Sequence, residues 1–483
     1  MKNPGAKFIR WMVLVLAVGL PPGIAAQTPR PIQPTQPTQS TPSGGPSIPR
    51  NLTLQQAEQL LLQRNLTVLA AKYQVEANRA ARLLASFKPN PTLTLGAEQF
   101  NLSGRLFKDI ARTDPNSAAA TTYTIRYDQL IERGGKRELR TELADAQLKA
   151  SEAQMLDAAR TQLYQLRQAF TTAALARENL LLAESTKQQY DQTIRLTATK
   201  VENGDLAGVE LYRVQASALQ YQQAVQQART AYQQASRDIL NLLGARAEDV
   251  QGAQQVADAA TGAKIINASF AQGVPGTGDS NAPGDEPLQI EFKFNDRPLT
   301  QAPIELREIA LAERPDVIAA RRLYDAARKG VSLAEAQRVR DVSAGTFMQR
   351  VGSDQTVGVN VSIPLFIHNK GFAAISQAES QKEAAAALVR QAELQAVTDV
   401  EKAYLAYQSA RRTLDLYNST TLERAGKLKA IAAISYKEGA SSLIELLDAE
   451  RTYNQTVNSY NQARADYQMA LWQLEQATGR PLH

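Results

Sequence analysis

The sequence predicts a mixed α and β protein with a twofold internal repeat, each half joining a short β-hairpin to a long hairpin of helices. Three observations carry this. A shift of 235 residues lays residues 130–244 over 365–479 without a gap: Leu130 falls on Leu365, Gly204 on Gly439, Glu210-Leu211 on Glu445-Leu446 and Gly244 on Gly479. Both copies are rich in Ala, Gln and Leu, lack proline, and carry glycine near their start, middle and end, which describes two helices turned back at Gly204 and at Gly439. Ahead of each copy the apolar period changes from about 3.6 residues to about 2. The repeat is far longer than the roughly 20–50 residues of solenoids and propellers, so it reads as a duplicated half-molecule.

Taken from its start, the chain opens with Lys2, Lys7 and Arg10, an apolar run from Trp11 to Leu20, and small residues at Gly23, Ala25 and Ala26. Residues 1–26 therefore read as a secretory signal peptide, cut after Ala25 or Ala26. The run is much shorter than the roughly 20 apolar residues of a spanning helix. Residues 27–50 are Pro/Thr/Gln-rich and read as a flexible segment. Residues 51–244 make the first repeat and 303–483 the second. Between them, 245–302 is an irregular Gly/Pro/Asp/Asn-rich insertion with a strand-like piece at Ile290–Phe294.

Helical spacing runs from about Leu52 to about Ser86, with Leu54, Ala57, Leu60, Leu61 and Val68 on one face. Its twin lies 250 residues on, where Arg314, Ala320, Ala327 and Leu333 match Arg64, Ala70, Ala77 and Leu83. The change of offset from 250 to 235 places about 15 extra residues in the first half, and a polar loop at roughly 102–120 holds them. Around it, Leu93, Leu95 and Ala97 alternate with polar or small residues, as do Tyr123, Ile125 and Tyr127. In the second half Val342, Ala344, Thr346 and Met348 alternate with Ser343, Gly345, Phe347 and Gln349, a short loop follows near Ser353, and Val357, Val359, Val361 and Ile363 form a purely aliphatic face. Arg137 to Val201 contains neither glycine nor proline, a helix of roughly 100 Å at 1.5 Å per residue.

Two readings of the strands stay open at this point. One is a small antiparallel sheet half buried against helices. The other is a membrane β-barrel, whose strands of about 9–11 residues alternate apolar-out and polar-in. Four strands cannot close a barrel, since the smallest has about eight, so a barrel would be shared between subunits, and three chains would supply twelve strands. The long helices, with Gln, Ala, Thr and Arg dominant, then suit either a solvated antiparallel coiled coil or the wall of a tube.

Composition narrows the chemistry. The formal charge is +6 with no run of Lys or Arg, which gives little support to nucleic-acid binding. Cysteine is absent, and histidine is limited to His368 and His483. That removes disulfides and thiolate sites and argues against a histidine metal cluster or a catalytic triad, so the expectation is no enzyme, no cofactor and no metal. Arg133-Gly134-Gly135-Lys136-Arg137 lacks the upstream glycine and following Ser/Thr of a phosphate loop. Gly134 and Gly135 instead suit a sharp strand-to-helix turn, a task that Pro364 and Gly371 take in the second half. Tyr123, Tyr127, Phe347 and Phe366 suit either interfacial aromatic girdles or ordinary packing.

Signal peptide, duplicated halves, one β-hairpin per half and a long helical hairpin with a glycine tip together resemble the TolC-like outer membrane factors, over about residues 50–481. Arg314-Pro315-Asp316-Val317 is similar to the family's motif at the start of its second repeat. Gly439 with Leu446-Leu447-Asp448-Ala449 is similar to its periplasmic tip. Leu130 to Arg137, Ile363-Pro364-Leu365-Phe366 and Asn369-Lys370-Gly371 are most similar to the CzcC-like heavy-metal efflux branch. The resemblance implies a homotrimer whose twelve-stranded barrel sits among outer-membrane lipid and continues as a helical barrel into the periplasm. It implies an exit duct of a tripartite efflux system, docked on a periplasmic adaptor (membrane fusion protein) and an inner-membrane RND or ABC-type pump. A type I protein secretion duct and a soluble periplasmic coiled-coil scaffold are the alternatives.

Glu445 and Asp448, three apart past the tip at Gly439, share a helical face. They match positions that carry aspartates at the periplasmic constriction of TolC-like ducts, which implies a gate of carboxylates around the pore mouth. In the first repeat Glu210 matches Glu445 and Arg213 stands where Asp448 is, so an ion pair from Arg213 to an acid of the neighbouring hairpin is expected to hold the mouth shut. One departure is plain. The family carries an arginine near this tip, whereas here Ala440-Ser441-Ser442 follow the glycine.

Overall fold

A computed structural model of the chain describes residues 48–98, 122–250, 288–295, 297–352, 354–417 and 419–482. The expected signal peptide, most of the Pro/Thr/Gln-rich segment, the polar loop at 102–120, Ser353 and the middle of the insertion lie outside these residues.

The first half runs β1 (Asn51–Thr53), α1 (Leu54–Arg64), α2 (Leu66–Ser86), β2 (Thr92–Glu98), β3 (Thr122–Ile131), α3 (Lys136–Glu202) and α4 (Gly208–Leu242). After β4 (Gln289–Glu291) the second half runs α5 (Pro303–Glu313), α6 (Pro315–Ala336), β5 (Val342–Val351), β6 (Asp354–Ser362), α7 (Phe372–Leu416), α8 (Ser419–Lys437) and α9 (Leu443–Thr478). Two short-to-medium helices, two strands and a helical hairpin thus recur in the same order.

The single helix expected from Leu52 to Ser86 is two helices, with Leu52 itself in β1. Asn65 breaks it: its backbone is extended (φ −60, ψ 124), and its side chain caps α2 by accepting from the amides of Thr67 and Val68. The side-chain amide then donates to Gln162 Oε1 at 3.0 Å and Leu242 O at 2.8 Å, so the break is locked to α3 and α4. In the second half Arg314 is equally extended (φ −67, ψ 122), because the ring of Pro315 disfavours a helical residue before it and itself opens α6.

The long hairpin of the second half also differs from expectation. α3 is continuous over 67 residues, but its counterpart stops at Tyr417 (φ −94, ψ 48) and resumes as α8. Ser419-Thr420-Thr421, at the start of α8, are weak helix formers.

The strand-like piece expected at Ile290–Phe294 is shorter and earlier: β4 pairs in parallel with β1, Leu52 opposite Ile290. Ile48, within the segment expected to be flexible, is fully buried beside Val250 and Leu288. The repeat-equivalent tyrosines hold this connector. Tyr232 donates to Leu288 O at 2.9 Å and Tyr467 to Arg297 O at 2.6 Å, both from fully buried rings. Leu166, Phe170, Tyr232 and Ile239 pack with Leu52, Leu61 and Ile290 into the largest core cluster, where truncating Phe170 to Ala costs about 3 kcal/mol or more.

Charge holds the second half together and ties it to the first. Within the second half Arg314, almost fully buried, binds Asp316 at 2.9 Å and Asp399 at 2.7 Å. Arg167 bridges Glu58 and Glu475, each at 2.6 Å, and stacks on Trp472. Gly479 (φ +85) ends α9 here because a Cβ would come within 3.0 Å of Arg314 Cα, and Gly244 (φ +62) ends the first half against Arg64 O in the same way.

The four long strands form one antiparallel sheet in the order β2-β3-β5-β6, so the hairpins of the two halves join through β3 and β5, with Ile125 opposite Met348. Register places Leu93, Leu95, Tyr123, Ile125, Tyr127, Met348, Val357, Val359 and Val361 on one face. Thr94, Arg126, Asp128, Gln349 and Asn360 lie on the other. The apolar face is open: Leu95 is 70% exposed and Val359 80%. This departs from the reading of a sheet half buried against helices. Phe347 lies on the polar face, as its place in the alternation has it, with its ring packed over Gly358, where a Cβ would meet it at 2.5 Å.

Candidate functional site

The strand-to-helix turns place the helices. Gly134 (φ +75) and Gly135 (φ +68) close β3 into α3, and a Cβ on Gly134 would lie 2.9 Å from Val339. Gly371 (φ +81) opens α7, where a Cβ would meet Arg338 at 3.0 Å, and Pro364 lies exposed in the connection from β6. Far along the helices, both tips turn by the same hydrogen bonds. Asp205 N–H reaches Lys200 O at 2.8 Å and Gly204 N–H reaches Val201 O at 3.1 Å; Ala440 N–H reaches Ser435 O at 2.8 Å and Gly439 N–H reaches Tyr436 O at 3.2 Å. These are Schellman closures, which need a left-handed residue, and Gly204 (φ +80) and Gly439 (φ +78) supply it. A Cβ on either glycine would meet nothing within 4 Å, so backbone conformation alone requires them.

The expected gate residues fall into two different arrangements. Glu445 is exposed at the third position of α9 and completes a capping box with Ser442: its amide donates to Ser442 Oγ at 3.3 Å, and Ser442 N–H donates to its Oε2 at 3.0 Å. Part of its carboxylate is thus committed to starting the helix. Asp448, one turn on, is exposed and makes no salt bridge among the described residues. In the first half Ala207 stands where Ser442 does and has no capping side chain. Glu210 instead takes Arg213 Nη1 at 3.0 Å. Within the chain, then, Arg213 pairs with its own helix rather than with the neighbouring hairpin, because a partner three residues away costs little chain entropy to reach.

Behind the tips lies a contact that the sequence reading missed. Tyr436, buried, shares a 2.8 Å hydrogen bond with Thr197 of α3, while Lys200 donates to Tyr436 O at 2.6 Å and lies over its ring. Tyr190, Val214, Leu443 and Leu446 pack around it, so the second tip is fastened to α3. The partners are more than 230 residues apart in sequence. A tyrosine amid an Ala/Ile-rich helix was the only available signal.

Next to this contact is a cavity of about 410 Å³ between α3, α8 and α9, lined by Gln189, Thr193, Lys429, Tyr436, Glu450 and Tyr453. Glu450 is 5% exposed, and its Oε2 has no hydrogen-bond partner. Burial pushes its carboxyl above the usual range, against the pull of the Lys429 ammonium. Burial likewise pushes Lys429 down; its Nζ donates to Gln189 Oε1 and lies 4.4 Å from the Tyr453 ring. No group of three or more His, Cys, Asp or Glu side chains suited to a metal ion occurs among the described residues. No helix among them is long and apolar enough to cross a membrane.

The architecture is thus an amphipathic, edge-open antiparallel sheet carried on two long helical hairpins. Residues 57–245 and 306–480 match the family model for the outer membrane efflux protein, and the chain belongs to that family. It is 25% identical over 313 residues to the alkaline protease secretion protein AprF of Pseudomonas aeruginosa, an alignment spanning 62% of this chain and 57% of that protein. Its fold is similar to the outer-membrane channel OprN (TM-score 0.65, 21% identity, 89% of this chain and 90% of that one). It is similar also to the outer membrane protein VceC of Vibrio cholerae (TM-score 0.64, 17% identity, 89% and 97%).

Proposed function

We propose that the protein is the outer-membrane exit duct of a tripartite export system, a homotrimer that passively conducts cargo handed over by a periplasmic adaptor and an inner-membrane pump. The observation that carries this reading is the sheet. Its apolar face is exposed, and its two outer strands, β2 and β6, each keep an unpaired edge. Both features cost free energy in water and invite pairing with another chain. Neighbours alternate in direction across the sheet, so β6 of one copy meets β2 of the next antiparallel, and three copies complete twelve strands. At about 3.3 Å per residue, strands of this length suit an apolar band of roughly 25 Å. The signal-peptide pattern of residues 1–26 supports export.

The cargo has two supports. The stretches Leu130–Arg137 and Ile363–Phe366 favour small molecules or metal ions, by likeness to the heavy-metal efflux branch. The relative named for alkaline protease secretion favours a type I protein secretion duct. Deleting the chain from its host separates them: metal or drug sensitivity with normal protein export supports efflux, and the reverse supports secretion.

In this reading Glu445 and Asp448 ring the pore mouth and draw cations to it, with Glu210 and Arg213 beside them. Single-channel conductance of the purified protein in a planar bilayer tests that role. Changing Glu445 and Asp448 to alanine raises conductance and weakens the cation response; unchanged conductance removes both from the gate. Recovery of the chain in the soluble periplasm would remove the duct itself.

A further inference from the structure

The two ends of the sheet carry different charge. At the end joined to the helices, every strand has an exposed cation close by: Lys88 ahead of β2, Arg133 after β3, Arg338 and Arg340 ahead of β5, and Lys370 after β6. None of the five forms a salt bridge among the described residues. The carboxylates nearest to them are already matched, Glu132 by Arg140, Glu138 by Arg137 and Asp341 by Lys136. Glu335 alone, on the last turn of α6, is an exposed acid without a salt bridge there among the described residues.

Packing gathers these cations. Gly134 lies against Val339, so Arg133 is held beside the 338–340 segment, and Gly371 lies against Arg338, which brings Lys370 to it. Arg338 lies 4.6 Å from the Phe372 ring and Arg340 5.8 Å from the Phe366 ring. Exposed Phe87, Ile363, Leu365, Ile367 and Phe372 flank them. Guanidinium groups over aromatic rings, at the foot of an exposed apolar face, are the chemistry of an interface between hydrocarbon and charged headgroups. At the opposite end the described exposed charges include Glu98 and Asp354, and no unpaired cation cluster occurs among the described residues.

We propose that this girdle binds the phosphates of anionic phospholipid headgroups, seating the helix-side end of the sheet in the headgroup layer. The inference rests on the sheet being embedded in a membrane and adds the class of lipid that the chain selects. That none of the five forms a salt bridge among the described residues favours it, because an anion reaches them without displacing a direct carboxylate contact. Their aromatic and aliphatic surroundings favour a lipid over a free anion.

Native mass spectrometry of the full chain in neutral detergent, offered equal phosphatidylglycerol and phosphatidylcholine, tests the proposal. Phosphatidylglycerol is retained at least about tenfold better, since each cation near an anionic surface adds roughly fivefold. Changing Lys88, Arg133, Arg338, Arg340 and Lys370 to glutamine abolishes that preference. Changing Lys72, Arg390, Lys402, Arg412 and Arg424, exposed cations on the helices, leaves it. Millimolar inorganic phosphate does not displace the lipid. Equal retention of the two lipids, a preference that survives in the first variant, or inorganic phosphate binding as tightly as lipid would each overturn the inference. Membrane fractionation separates its failure from that of the duct: a membrane-bound chain without lipid preference refutes only the girdle, and a soluble chain refutes both.

Discussion

At the start of each half a short helix stops and a longer one begins, and the two halves make that break with different chemistry. In the first, Asn65 caps α2 with its own side chain and spends its amide on α3 and α4. In the second, Pro315 imposes the extended residue, and Arg314 is left to bind Asp316 and Asp399 from a buried position. The tips differ in the same sense. Ala207 gives way to Ser442 with a capping box, Arg213 to a lone Asp448, and exposed Gln215 to buried Glu450. The order of elements recurs, whereas the side chains that hold each break and tip differ. Ion pairs that join the halves draw on both, as in Lys136 with Asp341 and Arg167 with Glu475.

The largest effect should come from the buried arginine. Arg314→Ala removes a buried guanidinium from two part-exposed carboxylates and costs about 1.5–3 kcal/mol, the range for losing hydrogen bonds to charged groups. Asn65→Ala, at the equivalent break, should cost about 1–2 kcal/mol through a lost cap and hydrogen bonds. Thermal denaturation of both variants checks the order, and equal losses would show that the halves are not specialised in this way.

Glu450→Gln should change stability in a pH-dependent direction. Burial raises the carboxyl's pKa in the fold, so its contribution is complete below the ordinary glutamate value and is lost as pH rises through the raised one. The variant therefore gains stability at pH 8 and none at pH 4. Gln215→Glu, at the exposed equivalent, moves neither. Thermal midpoints across that range are the measurement; a Glu450→Gln gain that grows toward acid would reverse the assignment.

The smallest effect belongs to the cap. Ser442→Ala should cost about 1 kcal/mol, seen as faster hydrogen exchange in the first turn of α9. Ala207→Ser should gain at most a few tenths, because Glu210 must leave Arg213 to complete the box.

Much of this was legible beforehand. The four strands showed because their alternation is set by one apolar and one polar face, and α3 because nothing in residues 137–201 stops a helix. The tip glycines showed because a left-handed closure admits little else. The break at Asn65 did not show: a single Asn inside a helical pattern looks like a tolerated polar residue. Its repeat position, 250 residues on, is Pro315, and that pairing was the available signal. The meetings of Tyr436 with Thr197 and of Glu450 with Lys429 depend on how one helix lies over another, which local periodicity does not encode.

The central claim is that β6 of one chain completes the sheet of the next through β2. The sequence contains no cysteine, so cysteines introduced in the middle of these strands, scanned over residues 93–97 and 357–361, report on that edge without background. Oxidation in native membranes should yield covalent trimers from chains carrying one cysteine in each strand, and only dimers when single-strand variants are mixed. Chains that remain monomeric for every pair scanned, or that close β2 onto β6 within one chain, would contradict the account.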